Sequence, residues 1–177
     1  MEIKAKCKFD YDAIRALTHL WLFRKADPKK RMLFWTITYA ILLTIVVLEL
    51  IVYDADLILF IFAGLAIVSY LLICYWYSVL PKIRYKSLAK MKDAENEYVF
   101  CDNVLKAFTK SQEYSGEAEI EYSLFIRVFE TSKYFFLFQT NNQVFLIDKS
   151  TVEGGRVEDA RNKLAAFLKN KYIICRY

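Results

Sequence analysis

The chain has 177 residues, of which 56% are hydrophobic and 25% are charged, and its formal net charge at pH 7 is +5. Two apolar runs of 22 and 24 residues, at 32–53 and 57–80, are separated only by Asp54-Ala55-Asp56. A helix of about 18 or more apolar residues can cross the ~30 Å hydrocarbon core of a bilayer. A soluble protein of this size could hardly enclose two helices that lack a polar face, so we predict a transmembrane hairpin over residues 32–80.

The positive charge is concentrated beside the two apolar runs. Residues 1–31 and residues 82–92 each carry a net charge of +5, whereas residues 93–177 carry −2. The loop between the runs holds two Asp and no Lys or Arg, so the positive-inside rule places both termini in the cytoplasm. Because topology explains the basic excess, we do not expect nucleic-acid binding.

Two kinds of charged residue in or beside the predicted hairpin are functional candidates. Glu49 lies inside the first run, where a carboxylate is costly. It either has a functional role or reaches the outer boundary, four residues away. Six cations flank the runs, and they either contact anionic lipid or serve topology alone. They are Lys29, Lys30, Arg31, Lys82, Arg84 and Lys86.

The N-terminal segment, residues 1–31, predicts a strand and then an amphipathic helix. Apolar and charged residues alternate over residues 2–9, which is the period of a half-buried strand. A lone strand leaves its backbone groups unpaired, so we expect this strand to join the sheet of the C-terminal domain. A helix is predicted over residues 11–25, with Trp21 on its apolar stripe and His19 on its polar side. The stripe either packs on the domain or lies in the lipid headgroup region.

After the hairpin the pattern changes from a basic stem to short strands. Pro81 is expected to end the second membrane span, and residues 81–96 are predicted to form a basic juxtamembrane stem that is helical over residues 82–92. Residues 97–177 then form the cytoplasmic domain. An amphipathic helix over residues 157–172 is expected to cover one end of its curled sheet. The predicted strands form an antiparallel meander over residues 97–101, 104–109, 117–122, 126–130, 133–139 and 143–147.

No residue pattern in the chain predicts catalysis. The single histidine, His19, cannot by itself form a zinc site or a nucleophile–base pair. The four cysteines are far apart in the sequence and form no CxxC pair, so we expect reduced thiols. We therefore expect no catalytic residue, no cofactor and no metal site.

Three runs in the C-terminal part carry a family resemblance. They are EYSLFIRVFET at residues 121–131, YFFLF at residues 134–138 and FLIDK at residues 145–149. Together with the two apolar runs, the basic stem and the final helix, they resemble the YcxB-like family of bacterial membrane proteins. Tyr122 stands where this family typically has a tryptophan, and Asp148 stands where it has a proline.

The resemblance implies a cytoplasmic domain similar to the pleckstrin-homology (PH) fold. Such a PH-like domain is a bent antiparallel β-sheet or barrel capped by a C-terminal helix. The predicted fold class is therefore an α+β membrane protein whose N-terminal strand joins the sheet. Four aromatic residues at or near the motif positions are expected to fill the interior. They are Tyr122, Phe125, Phe136 and Phe138.

Two functional hypotheses remain open. The first is a non-enzymatic, membrane-anchored adaptor that presents a protein-interaction surface at the inner face of the bacterial membrane. The second is a self-protection (immunity) protein against a toxin or bacteriocin, for which the outer loop and Glu49 would matter most. An enzyme is disfavoured because the chain has one His and no Gly-rich phosphate loop. The expected partners are the lipid bilayer and an unidentified protein, and an oligomer formed through the hairpin is left open.

Overall fold

The computed structural model describes residues 2–23, 26–52, 57–88, 94–110 and 115–175. Within these residues the chain forms eight strands and five α-helices, and a π-helical segment, Tyr75–Val79, joins the third helix to the fourth. In chain order the elements are β1 (Ile3–Lys8), α1 (Tyr11–Phe23), α2 (Pro28–Val52), α3 (Leu57–Cys74), α4 (Leu80–Ser87), β2 (Glu95–Phe100), β3 (Val104–Lys110), β4 (Ser115–Glu121), β5 (Arg127–Glu130), β6 (Tyr134–Phe138), β7 (Val144–Asp148), α5 (Val157–Leu168) and β8 (Tyr172–Ile174). The predicted helix end at residues 24–25, the outer loop at 54–56 and residues 89–93 of the predicted stem lie outside the described residues.

Helices α2 and α3 are the two apolar helices that the sequence predicted. Both are long and apolar enough to cross a membrane. In the most apolar stretch of 18 residues of each helix, none of the residues is buried by the rest of the molecule. They lie side by side, with the Tyr39 hydroxyl 2.8 Å from Ser69 Oγ. Helix α2 starts four residues before the predicted apolar run. The Asp27 side chain caps its first turn by accepting a hydrogen bond from the Lys29 backbone N–H at 2.9 Å.

Pro81 does not separate the second apolar helix from the helical stem predicted after it. Helical structure continues from α3 through the π-helical segment into α4, which ends at Ser87. The Leu80 backbone N–H bonds to the Tyr75 carbonyl, five residues back, so the chain enters α4 through a wider turn. Pro81 lies in the first turn of α4, where a missing backbone N–H is tolerated.

The strands form two four-stranded sheets. The first sheet has the order β1-β2-β3-β4, and the second has the order β7-β6-β5-β8. Neighbouring strands are antiparallel except β5 and β8, which run parallel. The molecule is therefore an α+β protein with two long apolar helices and two mostly antiparallel sheets.

The N-terminal strand joins the first sheet, as predicted. It pairs with β2 along its whole length, and every second side chain is buried, namely Ile3, Ala5 and Cys7. On its other side, Lys4 and Glu153 exchange backbone hydrogen bonds of 2.9 and 2.8 Å. Because Glu153 follows β7 closely in the chain, β1 links the two sheets.

The turn before α5 passes close to β1. Gly154 in this turn has a φ of +75°, and an added Cβ there would lie 2.4 Å from the Glu2 carbonyl oxygen. An added Cβ at Gly155 would lie 3.0 Å from the Ile3 side chain. The close approach that joins the two sheets therefore requires Gly154 and leaves little room for a side chain at Gly155.

The core extends to both faces of β6, because all five residues of this strand are buried. Helix α1 covers one of these faces. Its Ala13 and Leu20 belong to the core, and the Trp21 ring meets the Phe138 ring edge-on with 6.2 Å between centroids. The first part of the apolar stripe of α1 thus packs on the domain. Trp21 and Leu22 at its end stay exposed, so contact of this end with lipid headgroups stays a prediction. The four aromatic residues predicted to fill the interior are all buried: Tyr122, Phe125, Phe136 and Phe138.

The six strands predicted in the C-terminal part begin and end within two residues of the prediction. The start of β2 and the end of the final helix are the two ends that differ in a way that has a clear cause. Strand β2 begins at Glu95, inside the predicted stem, because Asn96 is buried and pairs with β1. The final helix ends at Leu168 rather than at residue 172, where Lys169 with a φ of 42° turns the chain away. The residues that follow form β8, which was not predicted.

Candidate functional site at the helix–sheet junction

A hydrogen bond connects α1 to the π-helical segment of the apolar helices. In an α-helix the Tyr77 carbonyl would accept from the N–H of residue 81, but Pro81 has none. The Tyr77 carbonyl oxygen lies 3.0 Å from His19 Nε2. Because a carbonyl oxygen can only accept, His19 carries its ring proton on Nε2 and donates it to this oxygen. His19 therefore supplies the donor that Pro81 lacks.

His19 is buried in this junction, although the sequence placed it on the polar side of α1. Its ring stacks on the Tyr77 ring, with centroids 4.6 Å apart and an interplanar angle of 16°. The ends of the apolar helices pack on this side of α1, which no local pattern in α1 indicates. Burial lowers the pKa of His19 below its ordinary value of 6.5, the hydrogen bond to Tyr77 opposes this, and the Arg15 charge lowers the pKa further. The imidazole is therefore neutral at pH 7.

A cleft of about 430 Å³ opens beside His19, and we call it the junction cleft. It lies between α1, the start of α2, the π-helical segment and the turn that joins β5 to β6. Its walls carry charges of both signs, from Asp12, Arg15, Asp27, Lys29 and Lys133. The three parts of the molecule, namely α1, the apolar helices and the sheets, thus converge on one charged cleft.

A second polar cluster surrounds Glu130 at the end of β5. This carboxylate is 2% exposed, and it accepts hydrogen bonds from Arg161 Nε, at 3.0 Å to each oxygen, and from Lys149 Nζ at 2.5 Å. The Tyr172 hydroxyl donates to the same carboxylate. Arg161 lies in α5, Lys149 follows β7 and Tyr172 begins β8. One carboxylate therefore ties three elements to β5.

The surroundings of Glu130 indicate a structural role. Burial alone would raise the pKa of its carboxyl group, but the hydrogen bonds from Arg161, Lys149 and Tyr172 outweigh burial and lower the pKa to about 2. A buried carboxylate that accepts hydrogen bonds from two cations and a hydroxyl is fixed in place and is not available to a ligand. Glu130 belongs to the first motif run and Lys149 ends the third, so two of the three runs meet in this ion pair. Among the described residues no three His, Cys, Asp or Glu side chains are grouped to hold a metal ion.

An exposed, partly apolar groove of about 360 Å³ runs between α1 and the second sheet. We call it the α1–β5 groove. Trp21 is 48% exposed and Ile126 is 40% exposed on its rim, and Phe129 and Phe138 line its floor. Arg127 adds a positive charge beside these apolar side chains.

The structure spreads the predicted membrane candidates over both ends of the apolar helices. Glu49 lies three residues before the end of α2, and its side chain is exposed. Of the six predicted cations, Lys29 lines the junction cleft. All six are exposed, in the first turn of α2 (Lys29, Lys30, Arg31) or on α4 (Lys82, Arg84, Lys86).

Sequence reasoning missed the two other cations of the junction cleft, Arg15 and Lys133. No local pattern shows that residues so far apart in the chain converge. Glu130 was easier to recognise from the sequence. It is the single acid of β5 and β6, whose other residues are apolar or aromatic except Arg127, and such an acid indicates a buried ion pair.

The fold is that of an α+β sheet domain with two long apolar helices inserted between its first and second strands. Residues 106–164, from β3 into α5, match the family model described as YcxB-like protein. The chain is therefore similar to this family over these residues, which confirms the resemblance predicted from the three motif runs that they contain. Neither the curated proteins nor the solved structures give a significant match.

Proposed function

We propose that the protein is a non-enzymatic binding module anchored at the inner face of a bacterial membrane. In this proposal α2 and α3 cross the bilayer as a hairpin, and both termini lie in the cytoplasm. The sheet domain then presents a protein-interaction surface next to the membrane. The observation that carries the proposal is the α1–β5 groove, an exposed aromatic surface on the helix that leads into α2.

Exposure, pairing and charge support the membrane anchoring. Apolar side chains cover α2 and α3 on all sides, and a soluble monomer rarely exposes so large an apolar surface. Strand β1 precedes the hairpin, β2 follows it, and the two are hydrogen-bonded, which supports an arrangement with both ends of the hairpin on one side. The cations of residues 1–31 and 82–92 favour the cytoplasm as that side.

The order of elements supports a PH-like domain. Strands β1 to β4 form one antiparallel sheet, β5 to β7 follow as three more antiparallel strands, and α5 comes next. This is the layout implied by the family resemblance, with the hairpin inserted after the first strand. The hydrogen bonds between Lys4 and Glu153 bring the edges of the two sheets together, which closing a barrel requires.

The groove fits a protein segment that combines apolar side chains with carboxylates. Trp and Arg are residue types that often dominate the binding energy of protein interfaces, and Trp21 and Arg127 both line the groove. Phe129 and Phe138 offer an apolar floor for an inserted side chain. The Arg127 guanidinium can bind a carboxylate through two parallel hydrogen bonds.

Trp21 itself can report whether the groove is occupied. Replacing Trp35 and Trp76 by Phe in the full-length chain leaves Trp21 as the single tryptophan. The protein, reconstituted in vesicles, is titrated with synthetic peptides that combine Leu or Phe with Glu, and with the same peptides carrying Lys in place of Glu. We expect a saturable change in Trp21 emission with the Glu peptides and none with the Lys peptides.

Variants of the rim show whether the response comes from the groove. Ile126→Asp should abolish the response to the Glu peptides, because it places a carboxylate on the rim. Arg127→Glu should shift the preference towards the Lys peptides. The matched control is Ile174→Asp, since Ile174 is 59% exposed on β8 and does not line the groove. An equal response to both peptide sets, no response, or a response that survives Ile126→Asp would contradict the proposal.

The immunity hypothesis has a separate test. It depends on the outer loop, which lies outside the described residues, and on Glu49. A toxin or bacteriocin gene beside this one in the genome would support it. Neighbouring genes for regulators would support the adaptor.

A further inference from the structure

In the proposed anchoring, the junction cleft lies at the level where a membrane lipid presents its headgroup. One wall is the first turn of α2 and another is the π-helical segment, so in the proposed anchoring the cleft opens where both apolar helices leave the bilayer. Its volume of about 430 Å³ is within the range of roughly 300–1,000 Å³ that is usual for small-ligand sites.

Three cations reach the cleft from three different elements. Arg15 comes from α1, Lys29 from α2 and Lys133 from the turn between β5 and β6. The Lys133 side chain is 53% exposed, and its Nζ lies 4.0 Å from an Asp148 carboxylate oxygen and 5.0 Å from the centre of the Tyr134 ring. It therefore retains access to a second anion. Several N–H donors that approach from different sides are the usual way to hold a phosphodiester.

The same cleft holds two carboxylates, Asp12 and Asp27. One Asp27 oxygen already accepts from the Lys29 backbone N–H at 2.9 Å, so this side chain is fixed at the start of α2. Cations alone would attract any anionic lipid. Carboxylates in the same cleft disfavour a ligand with a second negative charge and favour one that carries an ammonium group.

We propose that the junction cleft binds the headgroup of a phospholipid that carries both a phosphodiester and a primary ammonium, as phosphatidylethanolamine does. Arg15, Lys29 and Lys133 contact the phosphodiester, and Asp12 and Asp27 accept hydrogen bonds from the ammonium. The acyl chains lie along the exposed apolar faces of α2 and α3. This inference rests on the proposed membrane anchoring and is independent of the α1–β5 groove.

The test uses the full-length chain in vesicles of three compositions: phosphatidylcholine alone, and phosphatidylcholine mixed with either phosphatidylethanolamine or phosphatidylglycerol. The protein is extracted in mild detergent, and the lipids that stay bound are counted by native mass spectrometry. We expect phosphatidylethanolamine to be retained about tenfold more than phosphatidylglycerol, which has the phosphodiester but no ammonium.

Variants on opposite walls separate the two halves of the headgroup. Lys133→Ala should lower phosphatidylethanolamine retention about tenfold, the loss expected for one charge-assisted hydrogen bond. Arg15→Gln repeats this test from α1. Asp12→Asn should lower phosphatidylethanolamine retention and raise that of phosphatidylglycerol. The matched control is Lys106→Ala, because Lys106 is a partly exposed lysine on β3 that pairs with Glu119 and does not line the cleft. Near-ultraviolet circular dichroism identifies the variants that keep the native fold.

Three outcomes would overturn the inference. They are equal retention of the two lipids, an equal loss in Lys133→Ala and Lys106→Ala, and displacement of the lipid by millimolar inorganic phosphate, which would mean that phosphate alone is the ligand. Flotation with the vesicles separates this failure from a failure of the anchoring. Protein that floats but retains no phosphatidylethanolamine refutes the lipid site alone, whereas protein that does not float refutes the anchoring as well.

Discussion

Replacing His19 tests how the apolar helices are joined to the sheet domain. His19→Phe keeps an aromatic ring that can stack on Tyr77, but it removes the Nε2–H that the Tyr77 carbonyl accepts. A buried acceptor left without a donor lowers the free energy of unfolding by about 1–3 kcal/mol. His19→Ala also removes the stacking, worth about 0.5–1.5 kcal/mol, and leaves a cavity. We therefore expect His19→Phe to cost about 1–3 kcal/mol and His19→Ala about 2–5 kcal/mol.

Pro81 supplies an internal control for this experiment. Pro81→Ala restores a backbone N–H four residues after Tyr77, and it lets the π-helical segment tighten to an α-helix in which this N–H satisfies the Tyr77 carbonyl. In the Pro81→Ala background, His19→Phe should therefore lower the free energy of unfolding by about 1 kcal/mol less than it does when Pro81 is present. A coupling energy of this size is usual for residues that share a hydrogen-bond partner.

Urea unfolding of the full-length chain in mild detergent provides the assay, with near-ultraviolet circular dichroism as the signal. The unsubstituted protein, the two single variants and the double variant are compared. Where the slope of unfolding free energy against urea concentration is the same in all four, a shift in the midpoint reports a change in the unfolding free energy. If His19→Phe cost the same with Pro or Ala at position 81, the coupling energy would be zero. That result would refute the conclusion that His19 supplies the missing donor.

Three other residues give separate predictions. The folded-state pKa of Glu130, about 2, lies below its ordinary value of 4.5, so the stability it contributes is present above about pH 4.5 and is lost as the pH falls towards 2. Unfolding midpoints measured between pH 7 and pH 3 check this, and Glu130→Leu should remove that part of the pH dependence. Phe136→Ala should cost about 3–5 kcal/mol of unfolding free energy because its ring is fully buried, whereas the half-buried Gln139→Ala should cost less than about 1 kcal/mol; equal costs would place the core elsewhere. Glu49→Gln should leave membrane insertion and cellular abundance unchanged, and loss of function at normal abundance would make Glu49 a functional residue.

The strands and the apolar helices were predictable because their patterns are local. The alternation over residues 2–9 predicts a strand. Because the other strand patterns all lie in the C-terminal part, they also predict that this strand pairs with the C-terminal sheet. The register is not local, because the pairing of Ile3 with Phe100 depends on backbone groups at opposite ends of the hairpin. Strand β8 was missed because its three residues, Tyr172–Ile174, are too few to show a period of their own after a helix.

The junction was missed because its contacts join distant residues. His19 and Tyr77 are 58 positions apart, and a proline in a helical pattern normally indicates a stop. A donor from elsewhere in the fold satisfies the carbonyl that Pro81 leaves open, and sequence patterns do not reveal that donor. Glu130 could have been recognised as a buried acid. Its partners, however, lie 19, 31 and 42 residues further along the chain and on three different elements.

The most direct measurement of the proposed anchoring is the side of the membrane on which each terminus lies. Strands β1 and β2 flank the two apolar helices and pair with each other, so in the proposed anchoring both ends of the hairpin lie on one side. The positive-inside rule, applied to the cations beside those ends, predicts that this side is the cytoplasm. A reporter enzyme that is active only in the cytoplasm, fused before Met1 or after Tyr177, should be active in both fusions. Activity at either end of a reporter that folds only outside the cytoplasm would contradict this arrangement.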